Sequence, residues 1–140
     1  MVRRFARPAA GRGAAFADLD DDGDIDIVVA NLDAAPTLLR NDGGNASSWL
    51  TVSLRGTRSN RDGIGALVTV VDRSGRTRSA MCSTGSSYQP ASDRRVHFGL
   101  GAATAVQRLE VRWPSGARQV VEDVPAGQSL NLVEPGSPPR

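Results

Sequence analysis

The sequence predicts an all-β protein, and three observations support that fold class. Apolar residues recur at alternate positions, as in Leu50, Val52 and Leu54, and this period of two is typical of strands. Clusters of Gly, Asn, Asp and Pro separate these stretches and indicate turns. No run of a dozen residues shows the three-and-four spacing of apolar side chains that an amphipathic helix requires.

The first predicted strands follow an acidic loop. After this loop, Ile25, Ile27 and Val29 alternate and predict a strand. Because Val28 is also apolar, we expect this strand to be buried on both faces. Residues 36–40 predict a second short strand, which the turn sequence at 41–44 ends.

A polar stretch at 43–48 separates this part from a second half with cleaner alternation. There, residues 66–71 and 76–81 flank a polar turn and predict a hairpin. Further strands are predicted at 49–55, 108–113, 119–121 and 129–133. We expect a small β-sandwich or barrel-like domain over 47–134, with 1–10 and 135–140 as disordered ends.

Arginines fill the outward positions of several predicted strands, namely Arg76, Arg78, Arg108 and Arg112. A nucleic-acid-binding surface would interleave such residues with stacking aromatic side chains, whereas here the aromatics fall on the inward face. We therefore expect no nucleic-acid partner. No apolar run approaches the ~18 residues of a membrane-spanning helix, so we also expect no membrane span, and a monomer.

The charge of the chain is concentrated in one region. The net charge is +2, from 17 basic and 15 acidic residues, yet residues 18–42 contain eight Asp and only Arg40 as a base. Such a local excess predicts a cation site. Every basic residue is Arg, which is typical of a GC-rich bacterial genome.

The loop at 18–26 has the spacing of a calcium site. Counted from Asp18, Asp occupies positions one, three, five, seven and nine, with Gly23 at position six for the sharp turn. Calcium binds about six to eight oxygens from carboxylates, carbonyls and water. We expect Leu19 and Ile25 to point inward and Asp21 to face solvent. The predicted ligands are the side chains of Asp18, Asp20, Asp22 and Asp26 and the backbone carbonyl of Asp24.

Alternatives to this calcium site are less consistent with the sequence. An EF-hand has a Glu at position twelve between two helices, whereas position twelve here is Val29 in a strand pattern. Magnesium binds fewer carboxylates and keeps several waters. A simple Asp-rich turn would leave several like charges unbalanced. The predicted role of the ion is structural, because no base or nucleophile adjoins the ligands.

The residues 16–31, FADLDDDGDIDIVVAN, resemble an FG-GAP/VCBS-type repeat, the blade unit of integrin-like β-propellers. Later segments resemble the ASPIC/UnbV domain at the C-terminus of cartilage acidic protein-like proteins. They are SNRDGIGA at 59–66, GSSY at 85–88, HFGLG at 97–101 and VRWPSG at 111–116. The resemblance implies a propeller-blade-like hairpin with a calcium loop over 11–46, then an ASPIC/UnbV domain over 47–134.

The resemblance also implies a function. We expect a non-enzymatic, calcium-binding module that binds an extracellular protein or glycan partner, from the C-terminal part of a larger secreted or surface protein. The first residues carry no signal peptide pattern. The alternative is an accessory or enzymatic protein of a bacterial biosynthetic pathway, in which His97 would act with Asp93 or Tyr88.

Two further side chains invite a chemical role. His97 is the only His, and Cys82 is the only Cys. We expect His97 to be a hydrogen-bonded structural residue at a strand end. We expect Cys82 to be an inert packing residue, since a lone Cys forms no internal disulfide and usually behaves as a small buried hydrophobe.

Overall fold

The computed structural model describes residues 9–85 and 90–136. Within those residues the chain forms strands and one short 3-10 turn, and contains no α-helix, which confirms the all-β prediction. None of the described elements is a helix long and apolar enough to cross a membrane. The strands are β1 (Gly11–Ala17), β2 (Asp26–Asn31), β3 (Thr37–Leu39), β4 (Ser48–Arg55), β5 (Leu67–Asp72), β6 (Thr77–Met81), β7 (Val96–Gly101), β8 (Ala105–Arg112), β9 (Arg118–Pro125) and β10 (Gln128–Val133), and the 3-10 turn is Gly44–Ala46.

The strands form three sheets, two of which make a sandwich-like domain. One sheet has the order β10-β4-β7 and the other the order β6-β5-β8-β9. Strand β10 pairs with β4 in parallel, whereas every other pair in these sheets is antiparallel. Their inward side chains form one core, which consists of Leu50, Val52, Ala66, Val68, Val70, Cys82, Val96, Phe98, Leu100, Val106, Leu109, Val111, Trp113, Val124 and Leu132.

The strand register explains why those residues face inward. Partners across a ladder share a face of the sheet, so Leu50 lies beside Phe98 and Val68 beside Val111. A β-bulge between β5 and β8 places Asp72 opposite Val106. The alternation of β8 therefore shifts by one residue at the bulge, and both Val106 and Leu109 reach the core.

A buried carboxylate fastens the end of β10 to the sandwich. Glu134 is 2% exposed, and its Oε2 accepts hydrogen bonds from three successive backbone N–H groups, those of Thr57, Arg58 and Ser59. Its Oε1 accepts from the hydroxyls of Ser59 and Ser115. Burial opposes the charge of Glu134, but the bonds from the Ser115 hydroxyl and the three N–H groups outweigh it and hold the pKa of Glu134 well below its usual range.

The remaining sheet, β1-β2-β3, contributes no residue to the sandwich core. Both of its faces are apolar, yet Phe16 is 40% exposed and Leu38 is 47% exposed. The expectation that β2 is buried on both faces is wrong, because Ile27 and Val28 are only partly covered. The physical reason is that no second sheet of the described chain packs over the faces of this small sheet.

One arginine lies on the opposite face of its strand from the face that the sequence predicts. Arg78 was expected to point outward, but it pairs across the ladder with Val70 and therefore lies on the inward face. It can do so because its guanidinium lies 3.7 Å from the buried carboxylate of Asp72. The pKa of Asp72 is lowered to about 2, mainly by hydrogen bonding from the Ser74 hydroxyl and also from Arg76.

Several predictions concern residues that the structure does not describe. Tyr88 and most of the segment 85–88 lie outside the described residues, as do residues 1–8 and 137–140 of the two predicted disordered ends.

Candidate metal centre

The acidic loop connects β1 to β2, and its own carboxylates fix its backbone. The side chain of Asp18 accepts hydrogen bonds from the backbone N–H groups of Asp22 and Gly23, both at 3.1 Å. The side chain of Asp22 accepts one from the N–H of Asp24, also at 3.1 Å. These bonds are possible because a short Asp side chain reaches a backbone N–H a few residues further along a turn. The loop therefore has a defined conformation.

Three of the five predicted ligands come together in this loop. One carboxylate oxygen each from Asp18, Asp20 and Asp22 lies within 4.8 Å of the others. Asp18 is buried, Asp22 is partly buried and Asp20 is exposed. Ligands on opposite sides of one calcium ion are at most about 5 Å apart, given calcium–oxygen distances of about 2.3–2.6 Å. The three donor atoms are therefore close enough to share one such ion.

Asp26 holds the loop in place instead of joining this group. It is 1% exposed, and its two carboxylate oxygens accept hydrogen bonds from the N–H groups of Leu19 and Asn41. Asp26 therefore joins the start of the loop to the segment after β3. A carboxylate oxygen has a second lone pair, so these bonds alone do not prevent a further ligand contact.

Asp24 is also buried, at 3% exposed, and it carries an unsatisfied oxygen. Its Oδ2 accepts a hydrogen bond from the N–H of Gly44, whereas its Oδ1 has no partner. Buried carboxylate oxygens without a partner are rare, because desolvation of the charge is costly. This oxygen, together with the oxygen-only donor set, is consistent with a hard cation nearby. The residues therefore fit calcium.

Gly23 is required at the turn for two reasons. Its φ is +95°, in the region that side chains other than glycine rarely adopt. A Cβ at this position would lie 1.9 Å from Cε2 of Trp49, a residue of β4. The predicted need for glycine at position six is confirmed, and packing against Trp49 adds a reason that only the tertiary structure shows.

Two arginines contact the loop from outside its sequence. Arg95 donates hydrogen bonds to the backbone carbonyl of Asp18 and to the carboxylate of Asp21, both at 2.6 Å. Arg40 lies 3.3 Å from Oδ2 of Asp20 and also bonds to Asp42. The hydrogen bond that Arg40 donates to Asp42 is the main cause that raises the pKa of Arg40. Burial opposes the charge of Arg95, but its bonds to carboxylates raise its pKa overall.

The prediction that Leu19 points inward is wrong, since this residue is 52% exposed. The backbone N–H of Leu19 is tied to Asp26, which fixes the backbone while the side chain projects outward. Ile25 is partly buried and lines a cleft beside the loop. Asp21 is 76% exposed, as expected for a solvent-facing residue, yet it pairs with Arg95.

The cleft beside the loop has a volume of about 220 Å³ and brings together residues of both parts of the chain. Asp18 and Ile25 line it from the loop, and His97 and Asp93 line it from the sandwich. His97 lies in β7, where its Nδ1 shares a hydrogen bond with the Thr51 hydroxyl at 3.1 Å. Burial lowers its pKa, against the opposing effect of Asp18 and Asp24. The expectation of a hydrogen-bonded His97 is confirmed.

Asp93, the proposed partner of His97, is held in place by Arg95. Both carboxylate oxygens of Asp93 accept hydrogen bonds from Arg95, one from its backbone N–H at 3.0 Å and one from its Nε. Cys82 is 1% exposed, and burial raises the pKa of its thiol. A buried, protonated thiol is a poor nucleophile, which agrees with the expected packing role.

Sequence reasoning missed Arg95 and Trp49 as parts of this site. Arg95 lies 74 positions after Asp21, the loop carboxylate that it contacts. No local spacing connects residues so far apart. The only indication in the sequence is the charge imbalance of residues 18–42, which requires basic partners from elsewhere but does not identify them.

Comparison with known proteins adds a family to this geometry. Residues 56–139 match the family described as ASPIC and UnbV. Cartilage acidic protein 1 of Xenopus tropicalis is 31% identical over 109 residues, which cover 76% of this chain and 16% of that protein. The matched stretch is longer than residues 56–139, so the similarity extends toward the N-terminal part of the chain. Because the family match covers more than half of the chain, this protein belongs to the ASPIC and UnbV family.

Proposed function

We propose that this chain is a calcium-stabilised, non-enzymatic binding module of extracellular type. The observation that carries the proposal is the group of three carboxylate oxygens within 4.8 Å, on a loop whose backbone is already fixed by hydrogen bonds. Like charges at that separation repel by about 1 kcal/mol per pair in water and about 3–4 kcal/mol at an effective dielectric of 20. A divalent cation would remove this repulsion and stabilise the loop.

Thermal unfolding with calcium and with a chelator tests the metal. A ligand at about 100 times its Kd stabilises the folded state by about 2.7 kcal/mol. For a chain of this length, this corresponds to an increase in Tm of roughly 5–11 °C. Magnesium at the same concentration is expected to give a smaller increase. Equal Tm values in calcium and chelator would contradict the proposal.

The double variant Asp20→Asn with Asp22→Asn is expected to abolish the calcium-dependent increase in Tm. The matched control is Asp33→Asn with Asp123→Asn, which makes the same charge change outside the loop. Both control residues have positive φ, which Asn tolerates, so backbone strain is not introduced. The control is expected to keep the full calcium effect. If the control variant also lost the calcium-dependent increase in Tm, that increase would depend on the net charge of the chain and not on the proposed site.

The N-terminal sheet supports the further proposal of an FG-GAP/VCBS-type repeat. Its two apolar faces remain partly exposed. In a propeller, the neighbouring blades cover both faces of each blade, so one blade on its own leaves them open to solvent. We place the chain in the C-terminal part of a larger propeller protein, whose partner would be a protein or glycan. Sequencing the DNA upstream of the first codon tests the propeller. In-frame Asp-loop repeats are expected, and a stop codon directly upstream would contradict it.

The binding role is tested separately from the metal. The calcium-loaded chain, immobilised through its C-terminus, is exposed to a glycan array and to a panel of displayed extracellular proteins. A partner retained in calcium and released by chelator supports the proposal. Turnover of a substrate that is lost in a folded His97→Ala variant would instead support an enzymatic role.

A further inference from the structure

Among the described residues, Arg95 joins the sandwich to the acidic loop by two hydrogen bonds. Its Nη1 donates to Asp21 and its Nη2 to the backbone carbonyl of Asp18, both at 2.6 Å, while its Nε donates to Asp93. The side chain is only 24% exposed. All three nitrogens of the guanidinium are therefore engaged, two of them with the loop.

The segment that carries Arg95 also borders the start of the loop. The backbone N–H of Asp93 donates to the carbonyl of Phe16 at 2.9 Å, and the N–H of Phe16 donates to the hydroxyl of Ser92 at 3.2 Å. Phe16 lies at the end of β1, two residues before Asp18. Residues 92–95 thus fix both the strand that enters the loop and the first carbonyl of the loop itself.

We propose that Arg95 is a positioning residue for the metal centre, an inference that rests on the proposed calcium site. It fixes the backbone at Asp18, whose side chain is one of the three clustered donors. It also holds Asp21, which has φ +57° and lies between the other two donors, Asp20 and Asp22. A loop that is already ordered loses less conformational entropy when it binds an ion, so its affinity is higher.

Arg40 provides a matched control because it is also an arginine near the donors. It is 60% exposed, and its loop contact, at 3.3 Å from Asp20, is to a side chain and not to the backbone. Coulomb repulsion alone predicts that removing either arginine strengthens calcium binding, since each places a positive charge near the ion. Positioning predicts the opposite result for Arg95. The sign of the change therefore separates the two roles.

The experiment measures the calcium Kd of the wild-type chain and of Arg95→Gln and Arg40→Gln by isothermal titration calorimetry. Arg95→Gln is expected to weaken binding by about 10–100-fold, the usual effect of losing a residue that orients metal ligands. Arg40→Gln is expected to leave the affinity unchanged or to strengthen it by about 2–3-fold. Unchanged or tighter binding by a folded Arg95→Gln would overturn the inference. A wild-type chain that binds no calcium would instead overturn the proposed function.

A second measurement tests the inference even where Arg95→Gln does not fold. Arg95→Lys keeps the positive charge but cannot make three separate contacts, so it is expected to weaken calcium binding as well. Asp21→Asn is then combined with Arg95→Lys in a double-mutant cycle. The Asp21 change is expected to weaken binding more in the wild-type background than in Arg95→Lys. Additive effects in this cycle, or wild-type affinity in Arg95→Lys, would overturn the inference.

Discussion

Glu134 offers the strongest single test of what holds the sandwich together. Its two carboxylate oxygens accept five hydrogen bonds, three of them from the successive backbone N–H groups of residues 57–59. The N–H of Glu134 in turn donates to the carbonyl of Arg55, which continues the pairing of β10 with β4. We therefore expect substitution of Glu134 to weaken the attachment of the C-terminal strand.

The magnitude depends on which atoms the substitution leaves. Glu134→Ala removes all five acceptor contacts and leaves three part-buried N–H groups without this acceptor, each costing about 1–3 kcal/mol where water does not replace it. We expect a loss of about 3–5 kcal/mol in the free energy of unfolding, because several hydrogen bonds to one charged group, each contributing about 1.5–3 kcal/mol, are lost together. Glu134→Gln keeps an oxygen for the backbone N–H groups, and the two hydroxyls can rotate to accept from its amide. Its expected loss is about 1–2 kcal/mol.

Urea unfolding at neutral pH, followed by circular dichroism, measures both losses. Glu122→Ala, the same change at an exposed position of β9, serves as the control. A loss below about 1 kcal/mol for Glu134→Ala would refute the reasoning, because it would mean that the five hydrogen bonds contribute almost nothing net. An equal loss for Ala and Gln would show that the charge alone matters and not the pattern of acceptors.

The same carboxylate predicts a dependence on pH. The pKa of Glu134 is lowered from its usual value of 4.5 on folding, so the unfolded chain binds its proton more readily. Its contribution to the free energy of unfolding is therefore fully present above about pH 5. This contribution is lost as the pH falls toward the lower pKa that Glu134 has in the folded chain. The difference in stability between the wild-type chain and Glu134→Gln is expected to be constant from pH 5 to 8 and to shrink below about pH 4.5. A difference that grows on acidification would contradict this sign.

Two further predictions concern the packing of the loop on the sandwich. Gly23→Ala is expected to lower the free energy of unfolding by about 1–3 kcal/mol more than Gly75→Ala. Both glycines have positive φ, but only a Cβ at position 23 would collide with Trp49. Equal losses for the two variants in thermal unfolding would contradict the role of that contact. Calcium is expected to change the fluorescence of the Trp113→Phe variant, which keeps Trp49 beside the loop. It is expected to leave unchanged the fluorescence of the Trp49→Phe variant, which keeps Trp113 in the core. A calcium response in Trp49→Phe but not in Trp113→Phe would show that the ion binds elsewhere.

Local patterns in the sequence were sufficient to predict the class of fold and the position of the loop. The alternation around Leu50 and Val111 predicted strands with the correct inward face, because a strand places successive side chains on opposite faces whatever its neighbours are. The spacing of Asp18, Asp20 and Asp22 predicted a group of carboxylates, because a tight turn brings every second residue to the same side. The structure brings together those three.

Features that depend on distant parts of the chain could not be predicted in this way. The apolar character of Leu19 predicted an inward side chain, and the charge of Arg78 predicted an outward one. The structure reverses both, because Asp26 binds the backbone of Leu19 and Asp72 lies beside the guanidinium of Arg78. The parallel pairing of β10 with β4 likewise joins strands more than 70 residues apart. No period in the sequence specifies such a pairing.

The sequence by itself therefore determined the local chemistry of this protein: an all-β chain with a carboxylate-rich turn that glycine makes possible. Only the tertiary structure decided which groups hold that turn. Asp26 bonds to Leu19 and Asn41, and Arg95, 77 positions further along the chain, holds the carbonyl of Asp18. The reason is physical, since hydrogen bonds and charges act over a few ångströms in space, whereas the sequence records only neighbours along the chain.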